Sequence, residues 1–175
     1  RRLIIGPNGA GKTTLFNLIT GEIVADSGAI SLFDQDITRA PARSRAHLGM
    51  ARTYQIITLF PRDSIVRNVS LALLGLSGRR WNPFISLDAQ HDLVDNALEA
   101  LTQVGLAHIA HRPLSDTSYG ERRRVEIAMA LAQRPKVLLL DEPFAGLSID
   151  ERRDVQKLLA SIPREVTIVM IEHDM

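Results

Sequence analysis

Short apolar runs near both ends of the chain predict strands, whereas the middle of the chain has helical spacing. A run that is apolar at every position is typical of a strand buried on both faces of a sheet. Residues 3–5 and 137–140 have this character, and we expect both strands to be buried. With two further runs, the predicted strands are residues 3–5, 29–33, 137–140 and 167–171.

Apolar residues three or four positions apart predict amphipathic helices between these strands. The first helix is expected over residues 13–20, where Gly21 provides a C-terminal stop. Asp88 and Asp150 are expected to cap two later helices. The predicted helices are residues 13–20, a short segment from 41, and segments that begin near 64, 88, 118 and 150.

Helices dominate residues 62–135, whereas strands and helices alternate on either side of this stretch. The distribution predicts an α/β fold in which a mostly parallel sheet is interrupted by a helical insertion. We assign residues 1–175 to a single domain. Residues 1–61 and 136–175 form its core in this prediction, and residues 62–135 form the helical part.

Composition narrows the class of protein. The 175 residues are 45% hydrophobic and 23% charged, which is ordinary for one globular domain. The 21 basic and 20 acidic side chains leave a net charge of +1, which argues against binding nucleic acid through bulk charge. The basic run at residues 122–124 is interpreted as a solvated helix face.

Two absences in the sequence exclude further classes of site. There is no cysteine, so disulfides and thiolate metal sites are ruled out. No apolar run is long enough to span a bilayer, and we expect any membrane role to come through a partner protein.

A glycine-rich segment follows the first predicted strand and matches the phosphate-loop pattern G-x-x-x-x-G-K-[ST]. Glycines let successive backbone N–H groups surround an anion, and the helix that follows adds the positive end of its dipole. Lys12 can contact the outer phosphates, and the Thr13 hydroxyl can bind Mg²⁺. The predicted nucleotide-binding residues here are Gly6, Pro7, Asn8, Gly9, Ala10, Gly11, Lys12, Thr13 and Thr14.

Two acidic residues, Asp141 and Glu142, follow the apolar run at 137–140. Ligands of open parallel sheets bind at the C-terminal ends of the strands. Asp141 can therefore hold Mg²⁺, through water, while Glu142 can polarise the water that attacks the γ-phosphate. A solvated acidic turn is the alternative, and the phosphate loop upstream argues against it. Together the two motifs indicate a P-loop nucleoside triphosphatase.

Four further motifs resemble those of the ATP-binding cassette (ABC) ATPases and occur in that family's order. Residues 117–121 look like the signature motif, although Thr117, Tyr119 and Glu121 depart from Leu-Ser-Gly-Gly-Gln. Residues 145–148 resemble the D-loop. Gln55 lies at the position of the Q-loop glutamine, and His173 at that of the switch histidine.

The resemblance implies a RecA-like core, a helical signature subdomain and two cassettes that enclose two ATP molecules with Mg²⁺. It implies that Gln55 binds Mg²⁺ and takes part in catalysis with Glu142 and His173. It also implies that Ser118 and Gly120 of one subunit contact the γ-phosphate held by the other.

Longer phrases at residues 6–21, 51–55, 118–121 and 141–147 resemble the ATPases of branched-chain amino acid importers. ATPases of urea importers and lipopolysaccharide exporters are similar enough to remain alternatives, as does a soluble ABC ATPase that acts on ribosomes. Repair ATPases of the family carry very long insertions, and the short separation of Gln55 from Ser118 argues against them.

An importer of this kind implies several partners. They are a second ATP-binding subunit, transmembrane permease subunits and, indirectly, a substrate-binding protein, with no nucleic acid. The location implied is peripheral, at the cytoplasmic face of the inner membrane. Residues 56–90 are candidates for the surface near the permease, with local core packing as an equal alternative; the apolar residues concerned are Ile57, Leu59, Phe60 and Phe84.

Both ends of the chain are expected to be cut from a longer domain, because strands lie close to Arg1 and Met175. The family resemblance implies an aromatic residue upstream of the phosphate loop that stacks on adenine. No such residue precedes Arg1 in this sequence, so we expect the chain alone to bind ATP and GTP weakly and about equally.

Overall fold

A parallel sheet carries the fold in the computed structural model, which describes residues 1–54, 59–82 and 86–172. In spatial order its strands are β1 (Arg2–Ile5), β6 (Thr167–Glu172), β5 (Val137–Asp141) and β4 (Met50–Arg52). Every pair is parallel. The α/β architecture with a mostly parallel sheet is therefore confirmed.

Helices connect and flank these strands. They are α1 (Lys12–Thr20), α2 (Ala42–His47), α3 (Ile65–Leu76), α4 (His91–Gln103), α5 (Tyr119–Ala132) and α6 (Ile149–Ser161). Short 3₁₀ turns occur at Gly78–Trp81, Leu87–Ala89, Ala107–Ile109 and Leu114–Asp116, and a small antiparallel hairpin pairs β2 (Ser31–Leu32) with β3 (Gln35–Asp36).

Strand β5 is buried along its whole length, as its apolar run predicts. Because side chains alternate along a strand, its two faces contact different apolar layers. Leu138 and Leu140 pack into the large core formed with α3, α4, α5 and α6. Leu139 faces a smaller core that includes Phe16 of α1 and Met50 of β4. The sheet thus holds the start of α1 and the helical region on opposite sides of β5.

Strand β1 lies at the edge of the sheet in the described part of the chain. The expectation that residues 3–5 are buried is wrong, since Leu3 and Ile5 are each 47% exposed. Within the described residues β1 pairs with β6 alone, so one of its long edges has no neighbouring strand. The apolar run predicts the strand correctly but not its burial.

Two helix starts differ from the sequence prediction. Helix α6 is capped by Ser148, whose side chain accepts from the Glu151 N–H, so Asp150 lies inside the first turn. Helix α4 begins at His91 after Gln90, and position 88 belongs to the preceding 3₁₀ turn. A serine followed three positions later by glutamate is the capping-box pattern, and this pattern could have identified the start of α6.

The C-terminal stop of α1 is confirmed. Gly21 has φ 80°, in the left-handed region where glycine is favoured, and its N–H bonds to the last carbonyls of the helix. The buried guanidinium of Arg45 also binds the carbonyls of Leu18 and Ile19, at 2.6 and 2.8 Å. The C-terminal end of α1 is therefore fixed by Gly21 and Arg45. This also helps to hold the N-terminal end, which follows the phosphate loop.

Candidate functional site

The phosphate loop joins β1 to α1 and turns on two glycines in the left-handed region. Gly9 has φ 81° and Gly11 has φ 83°, and a Cβ at either position would have no heavy atom within 4 Å. The first turn of α1 contains no acidic residue, and Gly11 offers no side-chain cap. Backbone N–H groups at this helix start are consequently available to an anion.

Lys12 is buried against the loop from which it projects. Its Nζ donates to the carbonyl of Pro7 at 2.9 Å and to the carbonyl of Gly6. Glu142 reaches the same region, because it lines a cavity of about 240 Å³ together with loop and α1 residues. The other residues that line this cavity are Asn8, Gly9, Ala10, Gly11, Lys12, Thr13 and Thr14. The structure therefore brings the two predicted motifs to one place.

Asp141 ends strand β5 and is 1% exposed. Its Oδ2 accepts a hydrogen bond from Arg52 Nη2 at 2.8 Å. Its Oδ1 is buried and makes no hydrogen bond to the described residues. A buried carboxylate oxygen without a partner is rare, and it suits a hard cation such as Mg²⁺.

Arg52 is a residue that the sequence analysis missed. It ends β4, and its guanidinium lies over the rings of Phe16 and Tyr54, with 5.4 and 4.8 Å to the ring centroids. Its Nη1 donates to Asn17 Oδ1 at 2.6 Å and to Glu22 Oε1 at 3.2 Å. Arg52 thereby links the Asp141 carboxylate to α1 and to the residues beyond it.

Tyr54 extends this cluster towards solvent. Its hydroxyl donates to Glu22 Oε1 at 2.9 Å. Burial and this hydrogen bond to Glu22 raise the pKa of Tyr54. The phenol is consequently a neutral donor at physiological pH, and it holds the chain just before Gln55.

Glu142 follows Asp141 in an unusual backbone conformation, with φ 48°. Its N–H donates to the carbonyl of Ile171 at 3.0 Å, and its own carbonyl accepts from the Ala145 N–H at 3.1 Å. The same carbonyl accepts from Arg123 Nη2 at 2.7 Å. Glu142 is 7% exposed. The turn after β5 is therefore held by β6, by its own backbone and by helix α5.

Helix α5 begins with the predicted signature residues. Ser118 caps it in a capping box with Glu121, in which each side chain bonds the other residue's N–H. The N–H of Gly120 donates to Glu151 Oε1 at 3.0 Å. Hydrogen bonds from the backbone and hydroxyl of Ser148, together with weaker ones from Gly120 and Ser118, lower the pKa of Glu151. The signature segment thus meets the start of α6, just after the predicted D-loop.

The interpretation of residues 122–124 as a solvated helix face is wrong. Arg123 is 0% exposed, and Arg122 and Arg124 are only partly exposed. Arg123 Nη1 donates to Glu126 Oε2 at 2.8 Å. A charge count along the sequence cannot show this, because the other partners of Arg123 lie far away in sequence.

Four of the candidate site and surface residues, Gln55, Ile57, Phe84 and His173, lie outside the described residues. Among the remaining candidates for a permease surface, Phe60 is 58% exposed, whereas Leu59 is half-buried against the large core. Within the described ranges, no helix is long and apolar enough to cross a bilayer.

Comparison with known proteins identifies relatives over nearly the whole chain. A model of the ABC transporter family matches residues 1–145. The high-affinity branched-chain amino acid transport ATP-binding protein LivG of Escherichia coli K12 is 39% identical over 98% of this chain and 70% of its own length. The corresponding protein BraF of Pseudomonas aeruginosa is 37% identical, with the same coverage of both chains.

Solved structures give the same result. A nucleotide-free ATP-binding cassette from an ABC transporter has a TM-score of 0.86 at 30% identity, over 98% of this chain and 70% of that one. A dimeric post-hydrolysis cassette bound to ADP and phosphate has a TM-score of 0.78 at 26% identity, over 98% of this chain and 74% of that one.

Proposed function

This chain belongs to the ABC transporter family of ATP-binding proteins, and from that premise we propose that it hydrolyses Mg²⁺-ATP to drive the import of branched-chain amino acids. The observation that carries the chemistry is the cavity shared by the phosphate loop and Glu142. A triphosphate bound at the loop has its outer end next to a carboxylate that can act on water. LivG and BraF, which carry the name of that transport activity, support the substrate class.

The phosphates bind to the backbone N–H groups of the loop and to the start of α1. Lys12 Nζ exchanges its present loop carbonyls, those of Gly6 and Pro7, for phosphate oxygens. This exchange costs little movement, because the ammonium group already lies inside the loop. Thr14, two positions after Lys12 in α1, adds its backbone N–H or its hydroxyl to the α-phosphate side.

Mg²⁺, when bound, neutralises charge on the outer phosphates. The residues that would hold it are Thr13, through its hydroxyl, Asp141, through water at its unpaired Oδ1, and Gln55. Glu142 orients and polarises the attacking water, and His173 contacts the γ-phosphate region. Arg52 keeps the second oxygen of Asp141 occupied, so that this carboxylate presents a single oxygen to the metal site.

Two copies of the chain, or this chain and a close relative, complete the site. Ser118 and Gly120 of one subunit contact the γ-phosphate held by the other, and closure on ATP drives the permease. The dimeric cassette that resembles this chain supports such an arrangement. The protein works at the cytoplasmic face of the inner membrane, where permease subunits hold it, and a substrate-binding protein delivers the amino acid.

Glu142→Gln tests the hydrolytic assignment. We expect ATP binding to be retained and turnover to fall by about 100- to 10,000-fold, the range of a positioned acid–base group. Glu165→Gln is the matched control, since Glu165 is exposed and lies in the loop before β6, distant in sequence from Glu142. ATPase rates within a few-fold of the unmodified protein for Glu142→Gln would refute the assignment.

The transport assignment is tested with the assembled transporter in vesicles. Leucine, isoleucine or valine bound to the partner binding protein should stimulate ATP hydrolysis, and urea should not. If urea alone stimulates hydrolysis, or if none of these solutes does, the amino acid proposal is wrong. The hydrolytic proposal would be unaffected.

A further inference from the structure

Arg123 lies at the meeting point of three segments that are distant in sequence. Its side chain is fully buried, in the second turn of α5. Nη2 donates to the carbonyl of Glu142 at 2.7 Å, and Nη1 donates to the carbonyl of Tyr54 at 3.0 Å and to Glu126 Oε2 at 2.8 Å. One guanidinium therefore connects the signature helix, the turn after β5 and the chain that leaves β4.

The contact with Glu142 matters because of that residue's backbone. A φ of 48° lies in the left-handed region, which is unfavourable for a residue with a Cβ and persists only where surrounding contacts hold it. Three hydrogen bonds of the Glu142 backbone, all between described residues, do so here, from Glu142 N–H to Ile171, and to the Glu142 carbonyl from Ala145 and Arg123. The Arg123 bond is the shortest of the three, and the donor is charged.

The direction of a side chain follows from the backbone that carries it. Relaxation of Glu142 towards an ordinary φ would change the direction of its Cα–Cβ bond relative to the cavity that it shares with the phosphate loop. We propose that Arg123 is a positioning residue for hydrolysis, which holds Glu142 in its left-handed conformation and so aims the carboxylate at the nucleotide. This inference rests on the proposed function, because it assumes that Glu142 acts on water.

Stability alone accounts poorly for this arginine. Arg123 Nε is buried without a hydrogen-bond partner among the described residues. Burial raises the pKa of Glu126, and the hydrogen bond from Arg123 opposes that change. Buried ion pairs are often no more stabilising than well-packed apolar side chains of similar volume. The burial of this arginine is better explained by the two backbone carbonyls that its guanidinium binds, those of Tyr54 and Glu142.

Arg123 also binds the segment that leaves β4, through the backbone of Tyr54. The carbonyl of Tyr54 is the acceptor, and Gln55, the proposed Mg²⁺ ligand, is the next residue in the chain. Any movement of α5 would therefore act through the same guanidinium on Glu142 and on the chain before Gln55. Ser118 and Gly120 lie about one turn before Arg123, at the start of α5. Arg123 therefore connects the residues proposed to contact the γ-phosphate of the other subunit with the carboxylate that acts on water.

The decisive measurement is the separate effect of Arg123→Lys on turnover and on nucleotide binding in the intact ATPase. Lysine keeps the charge beside Glu126 but cannot span all three acceptors. We expect kcat to fall by about ten- to a hundredfold, the scale of a small misplacement of a reacting group. The Kd for ATP should stay within about twofold, since Arg123 does not line the cavity.

Arg124→Lys is the matched control, because Arg124 is the next residue of the same helix and, among the described residues, its side chain makes a single long hydrogen bond, of 3.4 Å, to Val104 O. It should leave kcat unchanged. If Arg123→Lys does not fold, the paired variant Arg123→Met with Glu126→Leu removes the guanidinium without leaving a buried charge. The same loss of kcat is expected from the pair.

Combination with Glu142→Gln separates positioning from support of the fold. In that background Arg123→Lys should lower the residual single-turnover rate by less than about twofold, because there is no carboxylate left to aim. Equal losses in both backgrounds, or an unchanged kcat for Arg123→Lys, would overturn the proposal. A normal rate for Glu142→Gln alone would instead show that the proposed hydrolytic role of Glu142 is wrong.

Discussion

Residues of the phosphate loop are mostly exposed and the loop turns on glycines, whereas Asp141 and Glu142 are buried and bound by two arginines. Of these two acids, Glu142 faces the loop across the cavity. The loop offers backbone N–H groups, and its geometry depends on residues that are adjacent in sequence. The two acidic residues depend on arginines from other elements: Arg52 of β4 binds the Asp141 carboxylate, and Arg123 of α5 binds the Glu142 backbone carbonyl. We call the phosphate loop and the Asp141–Glu142 segment the two walls of the site. The first wall is shaped by residues that are adjacent in sequence, and the second is supported by distant elements.

This division makes the two walls respond differently to substitution. Changes in the loop should act mainly on nucleotide binding, with a loss of about 1 kcal/mol at most in the free energy of unfolding. Changes around Asp141 should destabilise the fold, because they leave a buried charge without its partner. The following three substitutions test this contrast, in order of decreasing expected effect.

Arg52→Met should produce the largest loss of stability. It leaves Asp141 buried without its ion-pair partner, and such a loss costs about 3–5 kcal/mol in the free energy of unfolding. Denaturant unfolding measures it. Arg134→Met is the control, since the Arg134–Glu99 pair is largely exposed and should contribute less than about 1 kcal/mol. Equal effects of the two variants would remove the contrast between the walls.

Lys12→Ala should act on the ligand and not on the fold. It removes a charge-assisted contact to phosphate worth about 1.5–3 kcal/mol, so the Kd for ATP should rise by about ten- to 150-fold. Calorimetric titration gives the Kd, with Lys157→Ala on the exposed face of α6 as the control. An unchanged ATP affinity for Lys12→Ala would contradict the role of this lysine.

Gly11→Ala should have the smallest effect and should reveal conformational strain alone. At φ 83° alanine is unfavourable by about 1–2 kcal/mol, although no atom lies close enough to clash with its Cβ. We expect the free energy of unfolding to fall by about 1 kcal/mol. Gly75→Ala, within helix α3 and equally free of close atoms, should raise it by about 0.5–1 kcal/mol. A gain from both variants would mean that the loop relaxes around the new side chain.

The same division explains how much could be predicted from the sequence. The phosphate loop, α1 and β5 follow from local patterns, because glycine spacing and an apolar run carry their own structural meaning. Strand β4 was not predicted, since it is only three residues long and sits between Gly49 and Thr53. Its partner β5 creates it, and a pairing across more than eighty residues leaves no local pattern.

The buried arginines were missed for a related reason. In sequence Arg52 and Arg123 resemble any surface arginine, and Arg123 even lies within a basic run. Their burial is decided by acceptors on other elements: Asp141 for Arg52, and the carbonyls of Tyr54 and Glu142 for Arg123. The division of residues 1–61, 62–135 and 136–175 into core and helical parts remains a prediction.

The hydrogen bond between Gly120 and Glu151 couples two positions that lie thirty-one residues apart. A Cβ at position 120 would lie 2.4 Å from Glu151 Oε1 and 2.6 Å from its Cγ, so a larger residue there requires the Glu151 side chain to turn away. That rotation would break the hydrogen bond to the Gly120 N–H and would withdraw the carboxylate from the capping box with Ser148. The absence of a side chain at position 120 thus keeps the first turns of α5 and α6 joined, and a substitution there would separate them.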